Sequence, residues 1–88
     1  MLKLDLSRDA GGFIAGLPGK QFKQVVSAML ALLKNPQSHD ARPLSGMEGD
    51  YRVDSSEYRI VFRVEGELLR VPLIDKRDEV YRRLGRKA

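Results

Sequence analysis

Arginines fall on alternate positions through Tyr51-Arg52-Val53-Asp54 and Tyr58-Arg59-Ile60-Val61-Phe62-Arg63-Val64. The planar guanidinium fork is the side chain best matched to two-pronged contact with phosphate. Tyr51, Val53, Tyr58, Ile60, Phe62 and Val64 share a period of two, which turns them to one side of a strand pair and leaves Arg52, Arg59 and Arg63 on the other. With Ser55-Ser56 as a two-residue turn, Val53 lies opposite Tyr58, Tyr51 opposite Ile60 and Arg52 opposite Arg59. Like charges opposed across a strand pair are destabilising, and a phosphate-bearing partner would offset that cost. Long basic side chains also solvate the outer face of many antiparallel sheets, but solvation alone is a poor reason to oppose two arginines.

Other reactive side chains are sparse. His39 has no cysteine and no second histidine in the chain to join it, so the sequence predicts no metal site. Glu48 and Asp50 precede the first arginine strand and read as an ordinary exposed loop, with a carboxylate base as the alternative. Tyr81 lies among Arg77, Arg82 and Arg83, a cationic setting in which a phenol can take part in proton transfer. Packing of the chain's tail onto the sheet is the competing role for the same ring.

The elements that must carry these residues follow from pattern. Leu2, Leu4 and Leu6 alternate with Lys3 and Asp5 as in a short strand with one buried side. Ser7 is a candidate N-cap, and Ala10, Phe13, Ile14 and Leu17 mark an amphipathic helix weakened by Gly11 and Gly12, each costing roughly 1 kcal/mol. Leu17-Pro18-Gly19 breaks it. Phe22, Val25, Val26, Met29, Leu30 and Leu33 then predict a second helix ending before Asn35-Pro36, so the two form an αα-hairpin. Residues 36–49 are rich in turn formers and predict a loop held down by Leu44 and Met47.

Glu65-Gly66 predicts a second tight turn, into a strand over Glu67–Ile74. It places Val64 opposite Glu67, Phe62 by Leu69, Ile60 by Val71 and Tyr58 by Leu73, all on the apolar side. Arg70 then joins the arginine face opposite Val61, followed by Lys76 if the strand runs two residues further. The tail predicts a last helical turn carrying Val80, Tyr81 and Leu84, ending in frayed basic residues. The fold class is α+β: an N-terminal strand, an αα-hairpin and a three-strand antiparallel meander, with helices on one face of the sheet.

At 88 residues the chain predicts one domain, 1–88, with little stability to spare. It has no cysteine, hence no disulfide or thiolate staple. The net charge of +4 favours anionic partners. Residues 1–41 hold five Lys or Arg against three acids and residues 42–88 hold eleven against nine, so each part carries +2. Nine of the latter eleven are arginine, whose fork suits bidentate phosphate contacts, although a solvated arginine-rich surface accounts for the composition equally well. No stretch approaches the length of a signal sequence's apolar region or of a membrane span, so a cytoplasmic protein without a membrane partner is expected.

In order and spacing, four segments resemble the RelE/ParE superfamily of bacterial toxin–antitoxin toxins. They are the leading strand with a helical hairpin bending at Leu17-Pro18; Leu33-Lys34-Asn35-Pro36; Pro43-Leu44-Ser45-Gly46 leading to Tyr51-Arg52-Val53; and Glu57-Tyr58-Arg59-Ile60-Val61-Phe62. Ile74-Asp75-Lys76-Arg77-Asp78-Glu79-Val80-Tyr81 is similar to the family's closing isoleucine-glycine-histidine-arginine stretch ending in valine-tyrosine. The resemblance implies either a RelE-like enzyme, cutting messenger RNA on the ribosome without metal or cofactor, or a ParE-like gyrase inhibitor with no chemistry of its own.

For the enzyme, the resemblance implies Arg52, Arg59, Arg77 and Tyr81 as the catalytic set and Arg63, Arg70 and Lys76 as substrate-binding residues. It also implies a cognate antitoxin, with operator DNA bound only through the antitoxin complex. Three positions depart from the family pattern: Asp54 stands where RelE nucleases often carry a second basic residue, Lys76 replaces histidine and Asp75 replaces glycine. A carboxylate at position 54 is expected to repel the phosphate.

Overall fold

A computed structural model of the chain describes residues 1–38 and 40–85; His39 and the basic end at Arg86 and Lys87 lie outside the described residues. Its elements are β1 (Lys3–Leu6), α1 (Arg8–Ala15), α2 (Gly19–Lys34), β2 (Arg42–Pro43), β3 (Tyr51–Ser55), β4 (Tyr58–Glu65), β5 (Leu68–Lys76) and α3 (Arg77–Arg83). The strands form one sheet in the order β1-β5-β4-β3-β2. The α+β class, leading strand, helical hairpin and meander are as the sequence predicts. The two-residue β2, expected as loop, pairs with β3 as an additional edge.

β1 runs parallel to β5, and Ser7 ties the two together. Its N–H donates to Val71 O, its hydroxyl donates to Pro72 O at 2.8 Å, and the same oxygen accepts from Ala10 N as the N-cap of α1. The helical hairpin packs on one face of the sheet. Ile14, Val25, Met29 and Leu32 meet Val53, Ile60, Phe62, Leu69, Val71 and Ile74 there in the main core.

The opposite face is not the open basic surface that the alternation implies. Val61 and Leu73 point to it and join Leu44 and Val80 in a second, smaller cluster beneath α3, with Met47, Tyr81 and Leu84 at its margin. The tail thus forms a full helix on the face opposite the hairpin, because Val80 needs an apolar seat and finds it there. Loop anchoring by Leu44 and Met47 is as expected.

Both hairpin registers differ from expectation by one turn position. Ser56 adopts φ 57°, so the first turn is Ser56-Glu57, and Ser55 pairs with Tyr58, Val53 with Ile60 and Tyr51 with Phe62. Arg52 therefore faces Val61, and the residue facing Arg59 is Asp54. The second turn is Gly66-Glu67 with Glu65 opposite Leu68, and Gly66 has the positive φ that such a turn requires. Val64 accordingly pairs with Leu69 and Arg63 with Arg70, while Val61 pairs with Leu73 and Ile60 with Ile74. Val71 and Pro72 both fall opposite Phe62, a bulge that reverses strand parity and sends Leu73 to the α3 face.

Candidate functional site

Arg59 is the centre of the site. Position 59 alternates with Tyr58 and Ile60 of the main core, so its side chain leaves the sheet on the α3 face together with Arg52 and Asp54. Only 8% of the residue is exposed. A buried guanidinium must find partners. Nε donates to Asp54 Oδ1 at 2.7 Å and Nη2 to Asp54 Oδ2 at 3.1 Å, a fork-to-fork pair across the hairpin. The third branch, Nη1, donates to Tyr81 Oη at 2.6 Å, and the guanidinium carbon lies 5.2 Å from the centre of the Tyr81 ring.

Hydrogen bonding to Arg59 is the main cause holding the Asp54 carboxyl below its usual range, with the charges of Arg59, Arg52 and Arg77 adding to it against some desolvation. The same pairing raises Arg59 above the usual arginine value. The carboxylate at position 54 is thus committed to an arginine of the fold, and its negative charge is compensated where the sequence predicts it to repel a phosphate.

Arg52 and Arg77 stand close enough to act on Asp54 electrostatically. Arg77 opens α3, its backbone N–H bonded to Glu57 O of the first turn, and its side chain is exposed. Arg52, Arg59, Arg77 and Tyr81 therefore gather around one point. Lys76 ends β5 exposed and opposite Tyr58 of the main core, so it does not join the arginine face as expected, while Asp75, opposite Arg59 in the sheet, accepts from Arg83 Nη1 at 3.0 Å. Arg83 also pairs with Asp9 at the start of α1, which fastens α3 across the sheet.

Arg63 and Arg70 lie further along the same face, lining a groove of about 660 Å³. The opposed arginine pairs of this sheet are Arg63–Arg70 and Arg42–Arg52, and acids within the fold already balance the first. Arg63 Nε donates to Asp50 Oδ1 at 2.6 Å and its Nη2 to Glu48 O, while Arg70 pairs with Asp5 at 2.9 Å and with Glu65. Asp50 is buried and ion-paired, not the exposed loop residue expected. No group of three or more His, Cys, Asp or Glu suited to a metal occurs among the described residues.

Sequence reasoning missed Asp54 as Arg59's partner and Asp50 as Arg63's. The signal for the first was present: an acid opposite an arginine is a stabilising cross-strand pair, and it selects the Ser56-Glu57 turn over Ser55-Ser56.

A five-stranded sheet with a helical hairpin on one face and a third helix on the other is the fold of the RelE/ParE toxin superfamily. The chain is similar over most of its length to the isolated RelE toxin of E. coli, at 25% identity and a TM-score of 0.75, covering 97% of this chain and 96% of that one. The E. coli RelBE toxin–antitoxin complex matches at the same identity and TM-score, over 86% of this chain and 96% of that one. A chain of the chromosomal ParDE toxin–antitoxin system of P. aeruginosa shares the fold at 21% identity and a TM-score of 0.71, over 86% and 96% of the two chains. No protein-family model matches the sequence, and no curated protein matches it significantly.

Proposed function

We propose that this protein is the toxin of a bacterial toxin–antitoxin pair and that it cleaves messenger RNA on the ribosome, in the cytoplasm, without a metal. The observation that carries the reading is the 2.6 Å contact between Arg59 and Tyr81, with Arg52 and Arg77 beside it.

Cleavage of this class needs cations where charge grows on phosphorus and a group that moves a proton. The ribose 2′-oxygen bonds to the adjacent phosphorus as the bond from phosphorus to the 5′-oxygen breaks. Arg52 and Arg77, the less buried arginines, meet the phosphate, and Tyr81 transfers a proton. Arg63 and Arg70 hold flanking phosphates by exchanging their internal partners for the message, and the exposed Lys76, next to Arg77 in the chain, holds another. In a reconstituted translation assay, ribosome-bound message is cut by the protein, and Arg59→Ala or Tyr81→Phe slows cutting by roughly a hundredfold or more, the scale of a lost proton-transfer group. Message left intact by the unaltered protein overturns the reading.

One observation favours a second reading, a ParE-like inhibitor of DNA gyrase: Asp54 neutralises Arg59 inside the fold, which a pure binding module tolerates. Inhibition of supercoiling by the pure protein, with message left intact, would select it.

Either toxin calls for a cognate antitoxin. Structural neighbours include the E. coli RelBE toxin–antitoxin complex. A flexible antitoxin segment folding onto the arginine-lined groove would be held by its acids against Arg63 and Arg70. Operator DNA is bound only through that complex.

A further inference from the structure

We infer that Asp54 is a positioning residue for proton donation by Tyr81: its carboxylate fixes the Arg59 fork, and the fixed fork holds the phenol oxygen as an acceptor. The inference rests on the endoribonuclease reading and adds a residue and a direction of proton flow to it.

The direction follows from hydrogen-bonding capacity. A guanidinium has five N–H donors and no acceptor, so the 2.6 Å contact is donated by Arg59 and accepted by Tyr81. The phenolic proton is not used in that bond and is free to be given elsewhere. Aim depends on Asp54. With both carboxylate oxygens engaged by Nε and Nη2, the guanidinium is held against rotation about its last bonds, and the third branch points to Tyr81. The Tyr81 ring, packed within 5.2 Å of the guanidinium carbon, closes the arrangement. Three elements converge on it: β3 supplies the carboxylate, β4 the arginine and α3 the tyrosine.

The step balances as follows. The 2′-oxygen forms its bond to phosphorus and its proton passes to water, the bond from phosphorus to the 5′-oxygen breaks, and Tyr81 gives its proton to the departing oxygen. The tyrosinate remains beside Arg59 until water reprotonates it. Asp54 touches neither phosphate nor leaving group.

A leaving group that departs without a proton tests this directly. Ribosome-bound message is prepared with sulfur in place of the 5′-bridging oxygen at the position that the unaltered protein cuts, and single-turnover rates are compared with those on ordinary message. Asp54→Asn and Tyr81→Phe are expected to slow cutting of the oxygen-linked message, by about tenfold and about a hundredfold, through the rate at saturation and not through KM. On the sulfur-linked message both regain most of the unaltered protein's rate, while Arg52→Ala stays slow on both.

Equal slowing of Asp54→Asn on the two substrates, or no slowing on either, overturns the inference. The endoribonuclease reading then still stands on the unaltered protein's cutting of ordinary message. Failure of the unaltered protein to cut either substrate overturns both. Each ratio is measured within one preparation, so a misfolded fraction cancels, and Asp54→Ser serves if Asp54→Asn does not fold.

Discussion

Asp54 and Arg59 face each other across the β3–β4 hairpin and close a two-pronged ion pair at 2.7 and 3.1 Å. The pair fits the β3–β4 register that turns Arg52 to the α3 face, and a slip by one residue would turn the apolar positions of β3 out of the core. Breaking it from one side leaves a mostly buried guanidinium without its main partner.

Asp54→Ala should therefore cost about 1–2 kcal/mol, the scale of hydrogen bonds to a charged group reduced for a carboxylate that is one-third exposed. Reversing the pair with Asp54→Arg and Arg59→Asp together should recover part of the loss seen with either reversal alone. Urea unfolding of the four proteins in a double-mutant cycle measures the coupling. Strict additivity would show that the pair contributes nothing to stability.

The Asp54 carboxyl has a folded-state pKa below its unfolded value, so its contribution to stability is fully present above about pH 4 and is lost as pH falls through the folded value. Between pH 5 and roughly pH 2.5, the unaltered protein's Tm should fall more steeply than that of Asp54→Asn. Thermal melts followed by circular dichroism read the two slopes. Parallel curves would mean that Asp54 titrates no differently folded than unfolded.

Gly49 carries φ +86°, and a Cβ placed there would lie 3.3 Å from Nη2 of Arg63. Gly49→Ala should destabilise by about 1 kcal/mol or more, because the backbone is left-handed. It should also push Arg63 off Asp50 and Glu48 O, which fix the turn before β3. Chemical denaturation of Gly49→Ala against Arg63→Ala separates the two effects: a glycine effect due only to backbone strain persists in the Arg63→Ala background.

The hairpin of helices and the meander were legible because period and order survive an error of register, whereas Arg52, Arg59, Arg77 and Tyr81 were grouped only by what the family resemblance implies. The pairings were not legible, since a serine pair marks a turn without fixing which two residues occupy it. Asp54 opposite Arg59 was the better electrostatic choice, and Pro72 inside the last strand was a bulge signal, because proline leaves a ladder bond unmade. That bulge hid the second core: it moves Leu73 across the sheet, where α3 finds its seat. The partners of Arg63 and Arg70 come from Asp50 and Asp5, residues whose approach no local pattern predicts.

Arg52 and Arg77 do not share Arg59's burial, so their removal should be felt in chemistry and not in folding. Arg52→Ala and Arg77→Ala are expected to keep the unfolding free energy within about 0.5 kcal/mol of the unaltered protein's, as for surface substitutions. Each should lower message cleavage by roughly a hundredfold, the scale of one lost donor to a developing oxyanion. Cleavage unchanged in both would take these two residues out of the reaction.

Tyr81 reaches Arg59 only because α3 is docked, and one buried side chain, Val80, holds most of that contact. It is fully buried against Leu44, Val61 and Leu73, in a cluster separate from the main core. Truncation to alanine removes two methyl groups, about 0.8 kcal/mol each by transfer, and leaves a cavity beneath the helix. A seven-residue helix has little helical stability of its own, so the loss should fall on docking before it reaches the sheet. Val80→Ala should thus expose the amides of α3 to hydrogen exchange while the β4–β5 amides stay protected, and it should slow cleavage more than its change in Tm suggests. If exchange rose uniformly through sheet and helix, α3 would be an integral part of the fold and the site would have no local means of opening.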